Sequence, residues 1–335
     1  MKKNLGKKLT ALAMTAVMAL AMGACATSSS NNGDAVSAND NEGAEVFKVG
    51  IIQLLEHVAL DAATQGFQDR LVELLGDQVV FDYQNAQGEQ TNCTTIATKF
   101  VSNDVDLIMA NATPALQAVA AATANIPIIG TSVTDYITAG VIDDNNAPGR
   151  NVTGVSDLAP VDEQIEILKE IVPDVKKVGI LYCSAEPNSI FQSQLAQQYL
   201  TEAGIDFAEY TAADSNEIQA VVTKAISECD VLYIPTDNTM ANNMEIIKNT
   251  TLPAGIPVVC GEEGMCSIGG AATLSISYYE LGRQAGDMAY EILVNGANPA
   301  EMPIEYASSN ITAKYNPEIC EALGLVIPDD YEALG

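Results

Sequence analysis

"KVGIIQLLEHVALDAATQGF", residues 48–67, is a buried strand that stops at Glu56 and His57 and then turns helical. Its opening lacks the polar alternation of a half-exposed strand, so both faces should be covered. The same plan returns later. "KVGII" at 48 recurs as "KVGIL" at 177, "DLIMANATP" at 106 as "DVLYIPTDN" at 230, and "IPIIGTS" at 126 as "IPVVCGE" at 256. Three pairs in the same order at nearly constant offset predict two similar lobes. Between the strands lie helical stretches such as "QTNCTTIATKFVSN" and "PALQAVAAATAN". The expected fold class is therefore α/β: two doubly wound parallel-sheet lobes, joined by a hinge of several crossings.

The expected first lobe spans residues 46–155 plus about 274–303, and the second 156–273 plus about 304–335. The first crossing follows an extended stretch at 151–157. An amphipathic helix over 160–172 turns Ile165, Leu168, Ile171 and Val172 inward. A second crossing leads to a long helix ended by Asn295 and Gly296. The final segment supplies a third crossing and a terminal helix.

Ahead of this body, Lys2, Lys3, Lys7 and Lys8 precede a short apolar run that ends in "MGAC". Residues 1–25 read as an export leader resembling a bacterial lipobox, with Cys25 as the lipidated mature N-terminus. Residues 26–45 are rich in Ser, Asn, Gly and Asp and read as a disordered tether. The chain is thus expected outside the cytoplasm, on the outer face of the cell membrane or in a periplasm. Its only membrane contact would be the lipid.

The formal charge of −29 opposes binding to nucleic acid and to anionic lipid headgroups. Cys93, Cys183, Cys229, Cys260, Cys266 and Cys320 show no zinc-type spacing. Export permits a bridge between Cys260 and Cys266, but the apolar runs around several of the six favour buried thiols.

Ligands of doubly wound folds bind beyond the carboxyl ends of the strands. Here those ends carry Gln53, Glu56 and His57, then residues 111–113 and 131–135. In the second half they carry 183–189, 235–238 and 261–264. Nearly all are rich in Ser, Thr, Asn, Asp or Glu. Helix capping accounts for many such residues. Glu56, Glu186, Asp237, Glu262 and Glu263 are read as acids in excess of capping, fit for a ligand's ammonium. There is no G-x-S-x-G elbow, Walker loop, G-x-G-x-x-G or second histidine. No catalytic residue, metal or cofactor is therefore expected.

"GIIQLLEHVALDAATQGF", "DYQNAQGEQTNCTTIATKFV", "GRNVTGVSDLAPVDEQIE", "YIPTDNTMA", "GEEGM" and "YYELGRQAGDMAYEIL" resemble the tryptophan/tyrosine-type substrate-binding lipoproteins of ABC transporters. The resemblance covers about residues 46–325 and implies the type I periplasmic-binding fold. It also implies a small ligand, an aromatic amino acid foremost, delivered to an ABC permease with its ATPase subunit by a monomeric receptor. Carried over by motif, the cleft would include Glu56, His57, Thr113, Ser132, Thr134, Ser184, Glu186, Asn188, Asp237, Asn238 and Glu262. Tyr278 joins them, with a core or hinge position as the alternative. Asp237 is the expected acceptor of the ammonium. Ser132 and Thr134, at a helix start, would hold the carboxylate. His57 would stack on the ligand or bond to it; the alternative is a helix-start residue that orders Glu56. Tyr136 and Ser277 depart from the family's Pro and Asp, and both are expected near the cleft or hinge. Capture would proceed by closure of the hinge. A sugar or nucleoside receptor, or a sensor docking on a membrane signalling protein, is the alternative.

Overall fold

The computed structural model describes residues 46–307 and 311–334. The first repeat forms β1 (Phe47–Gln53), α1 (Val58–Leu75), β2 (Val79–Asn85), α2 (Gln90–Ser102), β3 (Leu107–Asn111), α3 (Thr113–Ala122), β4 (Ile128–Val133) and β5 (Val152–Ser156). The second forms α4 (Val161–Ile171), β6 (Lys177–Cys183), α5 (Pro187–Ala203), β7 (Asp206–Ala212), α6 (Ile218–Ile226), β8 (Val231–Ile234), α7 (Asn238–Asn242), α8 (Met244–Thr251), β9 (Val258–Cys260), α9 (Glu263–Ile268) and β10 (Ala272–Ser275). The rest comprises α10 (Tyr278–Leu293), β11 (Glu305–Tyr306), β12 (Thr312–Tyr315), α11 (Pro317–Leu323) and β13 (Glu332–Ala333). The leader, Cys25 and the tether lie outside the described residues.

Two sheets result, ordered β11-β5-β4-β3-β1-β2 and β13-β12-β10-β9-β8-β6-β7. All pairings are parallel except β10 with β12. The core strands β1, β3, β4, β6, β8 and β9 are buried almost end to end, as their unbroken apolar runs require. In each lobe the strand order reverses beside the repeated "KVGI" strand, so a crevice opens between β1 and β3, and another between β6 and β8.

The chain passes between lobes three times. Three expected boundaries shift, each for a pairing reason. Ser156 pairs with Val133 and Tyr306, so the first lobe runs one residue beyond 155. Leu274 and Ser275 pair with β12 and stay in the second lobe. Glu305 and Tyr306 pair with Val155 and Ser156, so the last return to the second lobe comes after 306, not at about 304.

Helix α10 belongs to the first lobe and lies against α1 at backbone contact. A Cβ on Gly66 would strike the Tyr279 carbonyl, and one on Gly282 the Ala63 carbonyl. Only glycine allows that approach. All six described cysteines are buried free thiols, Cys260 and Cys266 included.

Candidate functional site

A buried polar network fixes the first lobe's crevice. Thr64 Oγ1 donates to Gln53 Oε1 at 2.6 Å, while Gln53 Nε2 donates to Leu55 O and Asp61 Oδ1. Asn111 Nδ2 donates to Leu60 O and Thr64 Oγ1. These bonds tie the first turns of α1 to the ends of β1 and β3, and so set His57 at the crevice with extended φ −160. The end of β4 is less relaxed. Ser132 sits at φ 54, beside a register shift between Gly130 and Val133, and its buried hydroxyl has no partner. No helix follows: Asp135 closes a turn instead, accepting from Thr138 N at 2.6 Å. Ser132 and Thr134 thus lie at a strand end, not at the expected helix start.

In the second lobe the expected excess of acids dissolves into caps and one ion pair. Asp237 caps α7, Oδ1 accepting from Met240 N at 2.8 Å and Oδ2 from Cys183 N at 2.6 Å. Glu262 caps α9 through the amides of Gly264 and Met265. Glu186 holds the first turn of α7, accepting from the amides and side chains of Asn238 and Thr239. Glu263 pairs with Lys314 at 2.6 Å, and Glu56 is exposed. Free helix amides collect carboxylates wherever a short helix starts beside a strand end.

Among the described residues, hydrogen bonds of His57 and Thr134 join the lobes. His57 Nε2 lies 3.2 Å from Asn238 Oδ1, and Gln192 Nε2 donates to Thr134 Oγ1 at 3.1 Å. Asn238 Nδ2 is committed to Glu186 Oε2 at 2.6 Å, so its Oδ1 must be the acceptor facing His57. Neutral His57 therefore carries its proton on Nε2 and leaves Nδ1 as a bare acceptor, which is buried and unpartnered. Burial lowers the His57 pKa and keeps the ring neutral.

Between these bonds lies a cavity of about 10 Å³, room for about one water molecule. Its wall includes eight of the twelve expected residues: His57, Ser132, Thr134, Asn188, Asp237, Asn238, Glu262 and Tyr278. Glu186 stands behind Asn238 and faces a wider groove at the cleft mouth. Thr113 is buried but not on the cavity wall, Ser184 is exposed, and Glu56 lies outside it.

Tyr136 also departs from expectation. It is a core residue, with its ring over Gly130 and Gly154 and its hydroxyl donating to Val155 O at 3.1 Å. Two glycines in register on neighbouring strands were the available signal. Ser277 caps α10, accepting from Glu280 N at 3.3 Å.

Asp157, expected only as part of the crossover, also lines the cavity, as does Thr236 of the expected strand end 235–238. Asp157 is 3% exposed, on the first crossing, and accepts from Thr134 Oγ1 and Tyr278 Oη at 3.0 Å each. Burial raises its carboxyl to about 6. Burial, reinforced by Glu186, raises Asp237 to about 7, and burial raises Glu262 to about 7. No lysine or arginine stands on the cavity wall.

Two doubly wound lobes closed over a buried polar cavity at their strand ends define a two-lobed solute-binding protein of the type I periplasmic-binding fold. The chain belongs to the ABC transporter substrate binding protein family, whose profile matches residues 48–333; it is the substrate-binding protein of an ABC transporter. It is 36% identical over 304 residues to a tyrosine-binding protein of Clostridioides difficile, covering 89% of this chain and 87% of that one. Among solved structures, it is similar to an ABC domain from Streptococcus pneumonia in complex with L-Trp, at 34% identity and TM-score 0.84, covering 87% of this chain and 100% of the other. A ligand-free, open substrate binding protein with adhesive properties from Clostridium difficile gives a TM-score of only 0.67 at 36% identity, covering 86% and 99%. In this chain the His57–Asn238 and Thr134–Gln192 bonds hold the lobes together across the cavity.

Proposed function

We propose that the chain captures an aromatic amino acid between its lobes and presents it, as a monomer tethered through a lipid on Cys25, to an ABC permease. The observation that carries this reading is a set of stranded polar atoms on one cavity wall. His57 Nδ1 and Ser132 Oγ come from the first lobe and Asn188 Oδ1 from the second, all buried without partners. A buried polar atom left unpaired costs about 1–3 kcal/mol, which a hydrogen-bonding ligand would recover. Tryptophan and tyrosine are the ligands named for the two similar proteins, and the acidic wall suits an ammonium. A cavity of about 10 Å³ cannot admit an amino acid, so entry requires the lobes to part. Capture is then hinge closure with no covalent step.

The test is calorimetric titration of the purified protein, unfolded and refolded to strip carried-over ligand, with the twenty amino acids, common sugars and nucleosides. Selective binding of tryptophan, tyrosine or phenylalanine supports the reading. Selective binding of a sugar or nucleoside overturns the ligand class and keeps the capture mechanism.

A further inference from the structure

We propose that Asp157, and not the more obvious Asp237, is the carboxylate that receives the ligand's ammonium. This rests on the amino-acid reading above and sharpens it.

The three acids on the cavity wall differ in how they are already engaged. Asp237 receives two backbone amides, one of them its own cap, and Glu262 likewise receives two. Both are pinned in place by backbone amides that cannot swing aside for a ligand. Asp157 caps nothing. Its two oxygens accept one hydroxyl each, from Thr134 and Tyr278, and a carboxylate has room for about four donors. Hydroxyls also rotate at little cost, whereas backbone amides do not.

A second observation, separate from the acids, points to a ligand at this wall. Ser132 Oγ and Asn188 Oδ1, on residues 6% and 5% exposed, line the same cavity as Asp157 and have no partner. They supply the uncharged donor and acceptor capacity that a zwitterion needs beside its ammonium contact.

Asp157 also lies where charge and hinge meet. It follows β5 on the first crossing, Tyr278 opens α10 just after the second, and Thr134 links Asp157 to Gln192 of the opposite lobe. An ammonium on Asp157 would act on a chain of hydrogen bonds running from one lobe through two hinge strands to the other.

The experiment compares each aromatic amino acid with its des-amino acid and its amine, for example tryptophan, indole-3-propionate and tryptamine, on refolded protein. The wild type should prefer the amino acid over the des-amino acid by about 30-fold or more, the scale of a lost buried charge pair. D157N should remove most of that preference, and Asp157→Ser carries the same expectation should D157N fail to refold. Unchanged preference in both Asp157 variants overturns the proposal while leaving the amino-acid reading intact. Absence of amino-acid binding by the wild type overturns the functional reading, and this assignment with it.

Discussion

Ser132 carries two local costs, a left-handed backbone and a buried hydroxyl without a partner. Sequence placed it at the cleft, but nothing in "TSVTD" shows the strain, which arises where β4 slips register against β5. Such strain at a ligand wall is tolerated when the surroundings hold it and the ligand repays it. Ser132→Gly should therefore raise the thermal stability of the ligand-free protein by about 1 kcal/mol while weakening ligand binding. Paired melting and titration measurements check both signs, and a fall in both quantities would contradict this account. Asp157 was illegible for another reason. In "GVSDLAP" it looks like part of a connection, and its role depends on Tyr278, a residue 121 positions away in sequence. Side-chain partners brought together by a hinge leave no local pattern.

Strands and helices were legible because each follows from a short run of apolar residues with turn signals around it. The caps were misread because an acid at a helix start and an acid facing a ligand look alike in sequence. Their burial has a consequence with pH. Asp157 near 6, and Asp237 and Glu262 near 7, hold protons that the unfolded chain gives up near pH 4. The folded state binds more protons across that window, so these groups make stability fall as pH rises from about 4 to 7. His57 has the opposite sign: its lowered pKa removes stability as pH drops below 6.5. The melting temperature of ligand-free protein should thus rise as pH is lowered from about 7 to 5, because three carboxyls outweigh the one ring, whose charging only lessens the gain. A melting temperature that falls as pH is lowered through that range would contradict the assignment. At the α1–α10 contact, Gly282→Ala should cost about 3 kcal/mol or more, above the usual range for overpacking because backbone rather than a side chain is struck. Chemical denaturation measures it directly, and a loss below about 1 kcal/mol would mean that the helices can separate cheaply.

At the scale of the whole molecule, the two lobes and the crossings between them were readable, because the internal repeat and the strand-order rule act on the chain as a unit. The degree of closure was not, since it depends on single hydrogen bonds between lobes. Gln192 and Asn238 make those bonds. Replacing both with Ala should shift the ligand-free protein toward the open form, seen as a larger radius of gyration in solution scattering, and lower ligand affinity by about tenfold. An unchanged radius would place the closing force elsewhere, for example where Gly264 of α9 packs on Val58. The glycine-lined seam between α1 and α10 bears on synthesis as well. The first helix of the body cannot find its partner until residue 293 has been made, and β11 and β12 come later still. Neither lobe can complete its sheet from a nascent fragment, so the chain stays unfinished until its last few dozen residues appear. The order of synthesis therefore keeps both sheets open while most of the body is being made.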